Sequence, residues 1–96
     1  MMILHVTYKM KPAQGKSFVD AIEKAGIGAA VRAEDGCFRY DYFFPATGAD
    51  EVLLVEKWRD EEALAVHLQQ PHMADLNVLK EQYALDVMIE KFKVCE

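Results

Sequence analysis

The chain predicts an α+β domain of the ferredoxin-like kind, a four-stranded antiparallel sheet with helices on one face. Apolar residues alternate at period two in four stretches, the mark of half-buried strands. In two others they recur at spacings of three and four, the mark of helices with one buried stripe. The order along the chain is β-α-β-β-α-β, and only short turn-rich segments separate the elements. The 96 residues leave room for one core, so residues 1–96 are read as a single domain.

Residues 2–10 set Leu4, Val6, Tyr8 and Met10 against Ile3, His5, Thr7 and Lys9, a strand with one buried face. Lys11-Pro12-Ala13-Gln14-Gly15 ends it, because proline cannot donate to a ladder and glycine permits the turn. Phe18, Ala21, Ile22 and Ala25 then form a helical stripe. Gly26 and Gly28 each weaken a helix by about 1 kcal/mol relative to alanine, which predicts a break before residues 29–33 resume it. Asp35-Gly36 closes the segment.

Cys37–Phe44 reads as a strand with Phe38, Tyr40, Tyr42 and Phe44 on one face. The turn-rich loop of residues 45–50 returns the chain as Glu51–Trp58, antiparallel to it, with Leu54, Glu56 and Trp58 sharing a face. Asp60 suits a helix N-cap, and Glu61 and Glu62 sit where the helix dipole favours anions. Leu64, His67 and Leu68 share a face of that helix. Pro71 is tolerated only in a first helical turn, so the helix must kink or restart at Gln70-Pro71. Met73, Leu76, Lys80 and Tyr83 continue the stripe, and Leu85–Val94 is the last strand.

Several strands are apolar on both faces: Leu53 and Val55 against Leu54 and Trp58, Val87 and Ile89 against Met88 and Phe92. Helices cover one face only, so a homodimer packed through the other is expected. The hydrophobic share of 52% agrees with that. A net charge of −5 without a basic, aromatic-interleaved stripe argues against nucleic acid and anionic membrane as partners. No apolar run approaches the ~18 residues of a membrane span, and the polar, strand-like N-terminus is unlike a signal peptide. A cytoplasmic location is expected, with Cys37 and Cys95 as reduced thiols.

The chemistry-bearing residues concentrate in Glu56–His72, which holds two of the three histidines and the single tryptophan. His67 lies on the inward helical stripe. His72, five residues on, would point ~140° away on a continuous helix, so the two converge only through the break at Pro71. Glu56 on a buried face needs a partner. No two-histidine-plus-carboxylate set has local ligand spacing, so no metal is expected.

Glu34-Asp35-Gly36-Cys37 followed by Tyr40, Glu56-x-Trp58, and His67-Leu68-x-x-Pro71-His72-Met73 together resemble the antibiotic biosynthesis monooxygenase family of dimeric α+β barrels. The last run is similar to that of the family's quinol monooxygenases, and the resemblance spans essentially the whole chain. It implies a pocket between sheet and helices, and cofactor-free oxidation of a quinol-like or polyphenolic aromatic by O2. His67 and His72 would then be the catalytic residues, His67 as base. Tyr40, Tyr42, Trp58, Glu56 and His5 would contact the substrate. The haem-degrading members use an asparagine, a tryptophan and a histidine where this chain has Thr7, His67 and Asn77, so no haem is expected. Two other readings stay open: an isomerase acting on a small, phosphorylated carbonyl metabolite, and a non-catalytic ligand-binding dimer.

Overall fold

A computed structural model describes residues 1–95. The elements are β1 (Met2–Met10), α1 (Gly15–Lys24), α2 (Ile27–Arg32), β2 (Cys37–Phe43), β3 (Glu51–Trp58), α3 (Glu61–His67), α4 (Pro71–Tyr83) and β4 (Ala84–Lys93). They build one four-stranded sheet in the order β2-β3-β1-β4, with every neighbouring pair antiparallel. This is the ferredoxin-like α+β arrangement, with each crossover helix split into two.

Both splits have the expected causes. Gly26 takes a left-handed φ of 75° between α1 and α2, a conformation that a side chain would disfavour. Between α3 and α4 the chain extends at Gln70, and Pro71 opens the new helix, where its missing N–H leaves no bond unmade. Asp60 caps α3 by accepting a hydrogen bond from the Ala63 N–H at 2.8 Å.

The inner face of the sheet carries Leu4, Val6, Tyr8, Val52, Leu54, Trp58 and Tyr40, all buried against Phe18, Ile22, Ile27, Val31 and Leu76 of the helices. Two sequence expectations need correction at the strand ends. A register shift between Cys37 and Arg39 takes Phe38 out of the alternation, and β2 ends at Phe43. The predicted aromatic face therefore reduces to Tyr40 and Tyr42, while Phe38 and Phe44 are exposed. Val94 likewise falls beyond β4, which starts one residue early at Ala84.

Gly36 sits in the turn from α2 to β2 with φ 84°. A Cβ built there would lie 2.6 Å from the Ala63 Cβ, so α3 packs directly on its backbone. The Arg59 N–H donates to the Gly36 carbonyl at 2.8 Å and ties the end of β3 to the same turn. No helix among the described residues is long and apolar enough to cross a membrane.

Candidate active site

A cavity of about 230 Å³ opens between the inner sheet face and helices α3 and α4. Its walls are mostly apolar: Leu4, Val6, Leu54, Leu64, Met73 and Leu76. The polar groups that reach it are few, namely Tyr8, Tyr40, Glu56, His67, Lys80 and Lys91. A mostly apolar cavity with a few convergent polar groups is the usual form of a small-molecule site.

His67, the last residue of α3, is 1% exposed. Its ring is bracketed by two carboxylates. Nδ1 lies 2.8 Å from Glu34 Oε2, and Nε2 lies 3.7 Å from Glu56 Oε1. Trp58 covers one side of the ring at a centroid distance of 4.4 Å and donates its Nε1–H to Glu56 Oε1 at 3.0 Å. Glu56 on β3 is thus held by the indole. Burial pushes its pKa up, opposed by the Trp58 hydrogen bond and the nearby His67 and Lys80.

His72 does not line the cavity. It stands in the first turn of α4, and its Nε2 lies 2.8 Å from the same Glu34 Oε2 that His67 meets. The restart at Pro71 does bring the two histidines together, and the meeting point is Glu34 rather than the cavity. The carboxylate side chain is 10% exposed, and its second oxygen, Oε1, is buried without a hydrogen-bond partner among the described residues.

Tyr40 lines the cavity, and its hydroxyl accepts a 3.4 Å hydrogen bond from Tyr42. Burial raises the pKa of Tyr8 and Tyr40 far above the ordinary phenol value, so both remain protonated donors at neutral pH. The Tyr42 hydroxyl is pushed up to about 12, again chiefly by burial. Lys80 shifts the other way, because desolvation disfavours its ammonium while Glu56 partly holds it charged.

The predicted site residues therefore separate into groups. His67, Glu56 and Tyr40 reach the cavity, while Trp58, Tyr42 and His72 sit behind them as supports. His5 is not part of the site. It pairs with Val55 and Glu90 on the opposite face of the sheet, edge-on to Phe92 at 5.2 Å. Period two alone put it there, since Leu4 and Val6 are the residues that face inward.

Four site residues had no assigned role from sequence: Glu34, Tyr8, Lys80 and Lys91. Tyr8 and Lys80 were legible as inward-facing, with nothing to separate them from core. Glu34 lies 33 residues from His67, so no local spacing could link them. The absence of a local two-histidine-plus-carboxylate pattern likewise did not foresee that Glu34, His67 and His72 would place three ligand-type atoms within 4.8 Å of one another.

The family profile described as antibiotic biosynthesis monooxygenase matches residues 1–77. The chain is 31% identical over 72 residues to "Putative monooxygenase YcnE" of Bacillus subtilis (strain 168), an alignment covering 75% of this chain and 74% of that protein. Among solved structures, the "Putative antibiotic biosynthesis monooxygenase from Nitrosomonas europaea" superposes with a TM-score of 0.87 over the full length of both chains at 15% identity. PA3566 from Pseudomonas aeruginosa superposes with a TM-score of 0.83 over 99% of this chain and 94% of that one, at 24% identity. At such identities the two structures speak for the fold, and the sequence matches speak for the family. The chain belongs to the antibiotic biosynthesis monooxygenase family.

Proposed function

We propose that the protein oxidises an electron-rich aromatic hydroxyl compound, quinol-like or polyphenolic, with O2, and that His67 is the base. The observation that carries this reading is the setting of His67. One ring nitrogen is fixed by a buried carboxylate, and the other faces an apolar cavity. With Nδ1–H donated to Glu34, the lone pair is on Nε2, where it can take a proton from a substrate hydroxyl. The resulting anion is electron-rich enough to pass an electron to O2, and the hydroxyls of Tyr8 and Tyr40 can hold it. One oxygen atom enters the ring and the other leaves as water, the substrate itself supplying all the electrons. This stoichiometry asks the protein for a base, donors and exclusion of water.

The test is oxygen consumption with menadiol or an anthrone by wild type and His67→Ala. A base of this kind contributes about 10²–10⁴-fold, so a loss of that size is expected. Equal rates would remove His67 from the chemistry, and no turnover of any such compound by wild type would sink the oxygenase reading.

We also propose a homodimer. The sheet face away from the helices carries Ile3, Leu53, Val55, Met88 and Phe92, with Met88 55% and Phe92 46% exposed. A second copy would cover it by an isologous contact.

A second reading, an isomerase, is favoured by one observation: Lys80 and Lys91 both line the cavity. An anionic carbonyl substrate would use them. Inhibition of quinol turnover by inorganic phosphate, lost in Lys80→Met, would support that alternative.

A further inference from the structure

We propose that Glu34, His67 and His72 form a binding site for one divalent first-row transition metal, on the side of His67 away from the cavity. The two imidazole nitrogens that meet Glu34 belong to different helices, and both converge on one carboxylate oxygen at 2.8 Å. Bonds from such metals to nitrogen and oxygen run about 2.0–2.2 Å, which places neighbouring donor atoms around one ion about 3 Å apart. The donor atoms of all three residues already lie within 4.8 Å of one another. Two imidazoles and a carboxylate suit zinc, iron, cobalt or nickel better than the hard, oxygen-seeking calcium or magnesium.

Three further features fit a metal. Glu34 Oε1 is buried and has no partner among the described residues, an expensive arrangement for a carboxylate oxygen that a cation would relieve. The far nitrogen of His67 lies 3.7 Å from Glu56 Oε1, itself held by Trp58, so a small approach would let this carboxylate take the Nε2–H, as carboxylates do behind ligating imidazoles elsewhere. There is also a way in. A surface cleft of about 440 Å³ opens onto Glu34 between Asp35, Glu62, Val66 and Gln70, and its acidic walls favour a cation. Arg59 also lines this cleft, but its guanidinium is engaged by Asp35 and Asp60.

Each imidazole must then present a lone pair where it now presents N–H, so its ring proton passes to the opposite nitrogen. For His67 that nitrogen is Nε2, the proposed base. Resting on the oxygenase reading, this makes metal occupancy and base catalysis mutually exclusive, and the metal an inhibitor of turnover.

The test uses chelator-treated, full-length protein titrated with Co2+ and Zn2+ without substrate. One equivalent of Zn2+ per chain should bind by calorimetry, at least tenfold more tightly than to His72→Ala or Glu34→Gln. Wild type binding no more tightly than both variants would overturn the site. A measurement on wild type alone guards against misfolded variants: substoichiometric Co2+ should broaden the imidazole proton resonances of His67 and His72 and spare His5, which lies on the far sheet face. Equal broadening of all three histidines, or none, would also overturn it. Loss of oxygen uptake at one equivalent of Zn2+, reversed by chelator, is the expected functional consequence. Absence of any aromatic turnover would sink the oxygenase reading alone, since metal uptake is read without substrate.

Discussion

The two faces of the sheet use the same alternation for opposite ends. On β1 the inward residues Leu4, Val6 and Tyr8 are buried by helices and wall a cavity, while outward Ile3, His5 and Thr7 are only partly covered. On β3 the inward face places Glu56 between Leu54 and Trp58, and its Oε1 meets both an indole and an imidazole. The outward face opposite has Leu53 and Val55, with no comparable polar arrangement. A histidine on the inner side is clamped by two carboxylates, and one on the outer side merely leans on a phenylalanine. The same residue type on opposite sides of the sheet thus carries chemistry on one side and packing on the other. What separates the two is the set of groups brought within hydrogen-bond reach.

Substitutions can break this contrast, starting from the inner face. Trp58 is fully buried, stacks on His67 and donates to Glu56. Trp58→Ala is expected to lower unfolding free energy by about 3–5 kcal/mol, measured by urea denaturation. On the outer face, Phe92→Glu places a charge in the proposed dimer contact. Sedimentation velocity should show a monomer at concentrations where wild type is a dimer, and an unchanged dimer would move the interface elsewhere.

A smaller effect is expected at Glu56. Burial raises its folded-state pKa above the unfolded value of 4.5, so its favourable contribution is complete below that value. That contribution is lost as pH rises through the raised folded pKa. Glu56→Gln removes this titration, so its stability relative to wild type should improve as pH rises from 4.5 towards neutrality. A constant difference across that range would mean that Glu56 is not desolvated as described. The smallest effect belongs to His5→Ala, where oxygen uptake should match that of wild type, because His5 lies on the sheet face away from the cavity.

Most of the fold was legible because its determinants are local. Alternation set the strand faces, Gly26 and Pro71 marked both helix breaks, and Asp60 marked a cap. The bulge beside Phe38 was not legible, since an extra residue in a strand leaves no composition signal; it takes Phe38 out of the alternation and leaves Tyr40 and Tyr42 in it. The site was half legible for the same reason. His67, Glu56 and Trp58 belong to inward stripes that a period reveals. Glu34 becomes functional only when the α2–β2 turn is folded against α3, which no spacing records. His5 shows the converse, a residue type suited to chemistry on a face that never meets the cavity.

The tightest tolerance in the site belongs to a residue with no side chain. Where Gly36 meets Ala63, there is no space for a methyl group. Ala63 is one helical turn before His67 on α3, and Glu34 is two residues before Gly36. The gap between carboxylate and imidazole is therefore calibrated by atoms that are missing. Any side chain at position 36 acts as a wedge, prising α3 from the turn and stretching the Glu34–His67 contact while leaving the cavity walls of β1 and α4 where they are. Drift in those walls can retune which molecule enters. Drift at this joint spoils the histidine itself, so the molecule separates the part free to change its substrate from the part that must hold still.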